Sequence, residues 1–316
     1  MAIHDSAQRA AAATAAPSGP PFDPMALNRP AIAARSALKI AVLNVAGGAN
    51  LDAIAACLMR PPLADVGALM VCEASWRMPR HKSVEFAPAL AAALKMSFVF
   101  LPSFGRIDSR NGMRALGNAI LSARPLDDFQ AIELPKPPNI SKQLYLAGIH
   151  QGLLASINVD GRQVTLGVVH LERVWDPEGR NLQMESFLSG IGDKRPIIIG
   201  GDFNTTTLDM DRRWGVSRAA AALVWHPKRF REPRAREPLF DRIREHGFSL
   251  EGANLPAVPT FTLGRWVPPI WRPKLDWIAA RGIQPVKGSA AVVPARTSLM
   301  GRRLSDHDFV LCEFRL

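Results

Sequence analysis

The sequence predicts an α/β domain in which two stacked mixed β-sheets are flanked by helices, and three observations lead there. Short apolar runs recur along the chain, each ending on a polar residue. Several are apolar at consecutive positions, as strands buried on both faces are. A hairpin signal, Asp160-Gly161, occurs beside strand–helix alternations, so both kinds of sheet connection are expected.

The elements follow in chain order. Residues 1–36 are rich in Ala and Pro with scattered charges and read as a disordered tail. They lack the basic start and continuous apolar run of a secretory signal. Residues 37–316 contain no linker-like stretch and read as one domain. The first strand runs over 38–43 and ends on Asn44, after which Asn50 or Asp52 can cap a helix reaching Leu58. A second strand over 68–72 ends on Glu73, and 84–94 has an Ala/Leu-rich helical character. Strands over 153–159 and 163–169 flank the Asp160-Gly161 turn, and the second of them ends on His170. Residues 196–199 run through two glycines into Asp202, residues 239–245 have helical spacing, and 309–314 is strand-like.

Composition bounds the partners. Hydrophobic content is 47% and charged content 21%, which suits a globular chain with a substantial core. The formal net charge of +11 favours a polyanion such as nucleic acid or an anionic membrane surface, with an idle basic surface as the bland reading. Cys57, Cys72 and Cys312 are far apart, form no C-x-x-C pair, and read as small core residues of a reducing compartment. No run reaches the ~18 apolar residues of a membrane span. A cytoplasmic monomer is the expectation.

Asn44, Glu73, His170, Asp202 and Asn204 all stand just past buried strands, and strand ends on one rim bring distant residues together. In Gly201-Asp202-Phe203-Asn204, glycines let the backbone approach a ligand, and an extended chain points Asp202 and Asn204 the same way. An Asx turn explains the same residues without a ligand. Asp306 and His307 are adjacent and project to different sides; one can bind a metal while the other faces a phosphate, or both belong to a surface turn. Ser305 is too close to His307 to form a hydrolase triad, and no G-x-S-x-G elbow occurs. Asp276 lies inside an apolar strand and needs a donor or cation, for which His307 is the candidate.

Taken in order, the Asn44 strand, Glu73, Gly117-Asn118-Ala119-Ile120-Leu121-Ser122, His170-Leu171, Gly201-Asp202-Phe203-Asn204, Leu275-Asp276-Trp277-Ile278 and Ser305-Asp306-His307 resemble the endonuclease/exonuclease/phosphatase superfamily. The resemblance covers about Leu38 to Leu316 and implies a four-layered α/β sandwich hydrolysing phosphate esters with Mg²⁺, Mn²⁺ being the alternative. It implies that Glu73 and Asp306, helped by Asn44, hold the ion, which needs few carboxylates because it keeps several waters. Asp202 would orient or deprotonate the attacking water with Asn204 beside it, and His307, aligned by Asp276, would contact the phosphate or move a proton. His170 would be a second phosphate ligand or the general acid. Whether Asp202 or His307 is the base stays open. The single tyrosine, Tyr145, does not align with the Tyr or Arg that many such nucleases carry near the phosphate, so Asn118 and Arg114 are the candidate substitutes.

The substrate is read from flanking loops. Arg77, Arg80, His81 and Lys82 follow Glu73. Residues 260–274 interleave Trp266 and Trp271 with Arg265, Arg272 and Lys274, which suits stacking on bases and gripping phosphates. Core packing of the two tryptophans and a lipid-headgroup interface are the competing readings. Between Arg212 and Arg244, acidic residues dilute a basic stretch that is read as a solvated face. The expected function is a nuclease cleaving DNA or RNA. The alternative is a phosphodiesterase or phosphatase for lipid headgroups or small phosphate esters.

Overall fold

The computed structural model describes residues 24–29, 37–78, 84–108, 112–136, 150–173, 175–194, 196–205, 232–262, 268, 271–298 and 301–316. Two mixed sheets form its centre. The larger contains β1 (Met25–Leu27), β2 (Ala37–Asn44), β3 (Ala68–Trp76), β4 (Ser97–Asp108), β5 (Gly112–Ser122), β11 (Gln284–Pro285), β12 (Ala291–Val293) and β13 (Phe309–Arg315). Its order is β1-β4-β5-β3-β2-β13-β11, with β12 also paired to β13. The smaller contains β6 (Leu126–Glu133), β7 (Gln151–Val159), β8 (Arg162–His170), β9 (Ile197–Asp202) and β10 (Asp276–Arg281), in the order β10-β9-β8-β7-β6. The neighbours β2/β3 and β8/β9 are parallel, and the remaining pairs are antiparallel.

The alternation of side chains along each strand sorts the core into three layers. Leu38, Ile40 and Val42 of β2 meet Leu166 and Val168 of β8 and Ile198 of β9 between the sheets. Ala41 and Leu43 point the other way, onto α1 (Leu51–Leu58) and α2 (Phe86–Leu94). Outside the small sheet, Ile197, Ile199 and Trp277 pack on α3 (Pro177–Ile191) and α4 (Leu239–Glu245). Helix, sheet, sheet, helix is the four-layered sandwich expected from the sequence.

Local chemistry sets the element ends. Asp160 and Gly161 both have positive φ, and Gly161 N–H donates to Asn158 Oδ1 at 2.8 Å, closing the hairpin between β7 and β8. Helix α3 starts where Asp176 accepts from Gly179 N–H at 2.8 Å with Pro177 in the first turn. The sequence reading contains no helix here because the inward face mixes Arg180 and Gln183 with Met184, Phe187 and Ile191. The Asp-Pro pair was the local signal for it.

Two segments differ from expectation. Met25–Leu27, inside the stretch read as a tail, pairs with Phe98–Phe100 of β4, and Asn28 bonds Leu126 through both its amide atoms. A strand edge offering unpaired backbone groups supplies what the local composition does not. Strand β3 also continues past Glu73 to Trp76, across a register shift between Val71 and Ala74, with Glu73 at φ 55°. Glu73 is therefore carried on a β-bulge, a device that re-aims a side chain, rather than on a strand end.

Candidate active site

The rim formed by the ends of β2, β8 and β9 and the start of β10 gathers the polar residues. Because β9 and β10 are antiparallel, the last residue of one and the first of the other, Asp202 and Asp276, lie opposite in register. Parallel pairing sets His170 beside Asp202 in the same way. Asp276 thus opens its strand rather than lying within it, and its expected partner is correct: His307 Nδ1 is 2.8 Å from Asp276 Oδ2. On the other side of the ring, His307 Nε2 is 3.6 Å from Asp202 Oδ2. Asp202, Asp276 and His307 form a buried group whose ligand-type atoms lie within 4.8 Å of one another.

Two further side chains close on Asp202, and two more hold His307 in place. Asn44 Nδ2 donates to Asp202 Oδ2 at 3.0 Å and to Glu73 Oε1 at 3.2 Å, while its oxygen accepts from Ala46 N–H at 3.0 Å. His170 Nε2 lies 3.6 Å from Asp202 Oδ2 and 3.9 Å from Glu73 Oε1. Ser305 anchors the turn carrying His307 by donating to the Asn44 carbonyl at 2.6 Å and accepting from His307 N–H at 3.2 Å. Phe261 packs its ring edgewise on the His307 ring.

Burial and charge tune these groups in opposite directions. Burial works against the His307 imidazolium, but Asp276 and Asp202 outweigh it and push the pKa up to about 10. Burial raises the Asp202 carboxyl, with Asp276 adding to it and His307, His170 and the Asn44 bond opposing. Burial also disfavours the Glu73 carboxylate, yet His170, the Asn44 bond, His307 and Arg173 together hold its pKa below the ordinary value. Glu73 keeps 32% of its side chain exposed, and Asp306 is exposed. The rim therefore has a dry inner part around Asp202 and a wet outer part at Glu73 and Asp306.

The Gly-Asp-Phe-Asn segment contains the Asx turn: Asn204 N–H donates to Asp202 Oδ1 at 3.0 Å, and Asn204 has φ 50°. The chain is not extended there, and Asn204 Nδ2 goes to the Leu171 carbonyl at 2.8 Å. The two glycines serve strand packing instead of ligand approach. A Cβ on Gly201 would stand 1.9 Å from the Val169 carbonyl oxygen, and one on Gly200 would stand 2.8 Å from both Met70 and Val42.

The expected substrate contacts scatter. Asn118 is buried and donates to the Gln151 carbonyl at 2.8 Å, tying the sheets together. Arg114 is half-buried on β5, and Arg77 is exposed but ion-paired with Glu85. Trp271 is 40% exposed beside half-buried Arg272. Lys274 is fully buried with its ammonium 4.6 Å from the Trp277 ring centre, so this cation does not face solvent. Trp266, Arg265, Arg80, His81, Lys82, Tyr145 and most of the basic stretch from Arg212 lie outside the described residues. Arg173, which stands close enough to favour the Glu73 carboxylate, was missed by the sequence reading. Its only signal there was its place three residues after His170.

No described helix is long and apolar enough to cross a membrane. The sequence model of the Endonuclease/Exonuclease/phosphatase family matches residues 42–307. No curated protein matches the chain. Among solved structures, an endonuclease/exonuclease/phosphatase from Beutenbergia cavernae is similar at 19% identity and TM-score 0.61, over 89% of this chain and 72% of that one. D. rerio TDP2 complexed with single strand DNA product is similar at 18% identity and TM-score 0.54, over 89% of this chain and 100% of that one. A 3′-5′ exonuclease from Neisseria meningitidis is similar at 16% identity and TM-score 0.55, over 88% of this chain and 100% of that one.

Proposed function

The chain belongs to the endonuclease/exonuclease/phosphatase family of phosphoester hydrolases, and from that premise we propose that it is a divalent-metal-dependent nuclease. The observation that carries the reading is the position of Asp202. A buried carboxylate faces Asn44, His170 and His307 on one oxygen, directly beside the half-open carboxylate of Glu73. Such a rim can order a water on a base and a phosphoryl oxygen on cations.

The donor set fits a hard, hydrated cation. Glu73 and Asp306 offer carboxylate oxygens open to water, and both charges are felt at His307. Asn44 presents nitrogen to the carboxylates, so it would hold an ion only after its amide turned over and released Ala46 N–H. Mg²⁺ or Mn²⁺ bound there would polarise the phosphoryl oxygen and stabilise the leaving oxygen.

The remaining chemistry belongs to the chain. Asp202 is the base: burial makes it more basic than an ordinary carboxylate, and the Asn204 N–H holds its other oxygen. His307 stays protonated near neutral pH because two carboxylates face it, so it acts as donor and cation toward the phosphate. Asp276 fixes the ring through Nδ1, leaving Nε2 toward the reacting side. His170 is placed to contact the same phosphate or protonate the leaving oxygen. Nucleic acid as substrate is supported by the net charge of +11, by exposed Trp271, and by the DNA-bound and exonuclease relatives of the fold.

The test is a cleavage assay on duplex DNA, single-stranded DNA, RNA and a phosphodiester dye, each with Mg²⁺, Mn²⁺ or EDTA. Asp202→Ala and His307→Ala proteins run alongside. Metal-dependent cutting of nucleic acid that both substitutions abolish is expected. Turnover of the dye alone would move the substrate to lipids or small esters, and no turnover of any would overturn the catalytic reading.

A further inference from the structure

The chain leaving β8 is pinned on both sides of one exposed cation. Leu171 N–H donates to the Asp202 carbonyl at 3.0 Å, and its own carbonyl accepts from Asn204 Nδ2 at 2.8 Å. Glu172 N–H donates to Gln183 Oε1 at 2.8 Å. The Trp175 carbonyl accepts from Arg180, whose guanidinium is buried and paired with buried Glu237. Asp176 then caps α3, and Gly179 packs so tightly on Trp175 that a Cβ there would come within 2.1 Å of the indole.

Between these fixed points Arg173 is exposed and makes no hydrogen bond or ion pair with a described residue. Other cations of this rim are engaged: Arg77 with Glu85, and Arg303 with Asp308 and the carbonyls of Ser305 and Asp306. Arg173 nevertheless follows directly on the segment bonded to Asp202 and Asn204, three residues past His170, whose Nε2 is 3.6 Å from Asp202 Oδ2 and 3.9 Å from Glu73 Oε1. Because the backbone of Leu171 and Glu172 is already bonded in place beside the acidic reaction site, positioning the guanidinium on a ligand orders the Arg173 side chain without also ordering the backbone that leads to it. A guanidinium fork also matches a phosphate bidentately.

We infer that Arg173 is a specificity-determining residue that grips a phosphate flanking the scissile one, so that the site prefers a polynucleotide over a small phosphodiester. This rests on the nuclease reading above. A substrate with one phosphate occupies the Asp202–His307 centre and leaves Arg173 without a partner, whereas a chain engages both.

The experiment uses the full chain with a fluorescent single-stranded 12-mer and bis(p-nitrophenyl) phosphate in Mg²⁺. In an Asp202→Asn background, Arg173→Ala is expected to weaken 12-mer binding about tenfold, as loss of one charged hydrogen-bond pair does. It should also reduce the slope of log Kd against log salt by about 0.7. With Asp202 intact, KM for the 12-mer should rise by a similar factor, the preference for 12-mer over the small ester should fall with it, and Arg173→Lys should restore part of the loss. Cutting of the 12-mer with unchanged KM and salt slope in Arg173→Ala would overturn the inference alone. An equal loss of kcat on both substrates without rescue by lysine would reassign Arg173 to the fold of its loop. No cutting by the unsubstituted protein would overturn the nuclease reading and this inference with it.

Discussion

Asp202 and Asp276 face each other in register across β9 and β10, both buried, with the His307 ring bonded to Asp276 through Nδ1 and directed at Asp202 through Nε2. Two buried carboxylates this close repel unless a cation lies between them, and the imidazolium is that cation. The three residues therefore act as one electrostatic unit.

Asp276→Asn is expected to lower kcat about 100-fold or more while the far-ultraviolet circular dichroism is unchanged, because it removes the charge that fixes and protonates His307. The double variant Asp276→Asn/His307→Ala should lose little beyond His307→Ala, as members of a unit do. Additive losses in steady-state kinetics would separate the two residues.

Three side chains with large shifts should shape the dependence of stability on pH between about 4 and 10. Folded His307 keeps its proton to about pH 10 against an ordinary 6.5, so the folded state binds more protons in that interval and stability falls as pH rises through it. His150, driven down to about 4 by burial against the pull of Glu172, makes stability rise from pH 4 to 6.5. Lys274, driven down to about 8 by burial against the pull of Asp276, makes stability rise from pH 8 to 10.5 and offsets part of the His307 loss. Urea midpoints should therefore peak near pH 6.5 and fall most steeply between about 6.5 and 8, and His307→Gln should flatten that fall.

Gly201→Ala should destabilise the fold by about 2–3 kcal/mol, because φ is 146° and the new Cβ would meet the β8 backbone at 1.9 Å. Gly161→Ala, in open space with φ 86°, should cost about 1 kcal/mol. Chemical denaturation of the two proteins measures the difference, and equal costs would contradict the packing role given to Gly201.

Glu237→Ala leaves Arg180 as an unpaired buried cation and should cost about 3–5 kcal/mol. A smaller loss, read from the urea midpoint, would mean that the Trp175 carbonyl alone satisfies the guanidinium.

Much of the candidate site is legible because its signals are local. A buried strand that ends on a polar residue marks its own boundary, and Asn44, His170 and Asp202 are read that way. Glu73 was also named by that rule, but its strand continues, and the bulge that aims it depends on how β3 pairs with β5. Asn118 reads as a substrate contact from its motif, whereas its partner, the Gln151 carbonyl, belongs to the other sheet.

The sequence by itself determined the alternation of buried strands and polar ends, the hairpin at Asp160-Gly161 and the pairing of Asp276 with His307, since each follows from periodicity, turn chemistry or the cost of a buried charge. Tertiary structure alone decided that Gly200 and Gly201 make room for neighbouring strands, that Lys274 is buried on Trp277, that Asn44 bridges two acids as a donor, and that Arg173 is exposed just past the segment bonded to Asp202 and Asn204. The reason is physical: a side chain's type and backbone period are set within a few residues of it, but its partner is set by which distant strand or loop the closed sandwich lays against it.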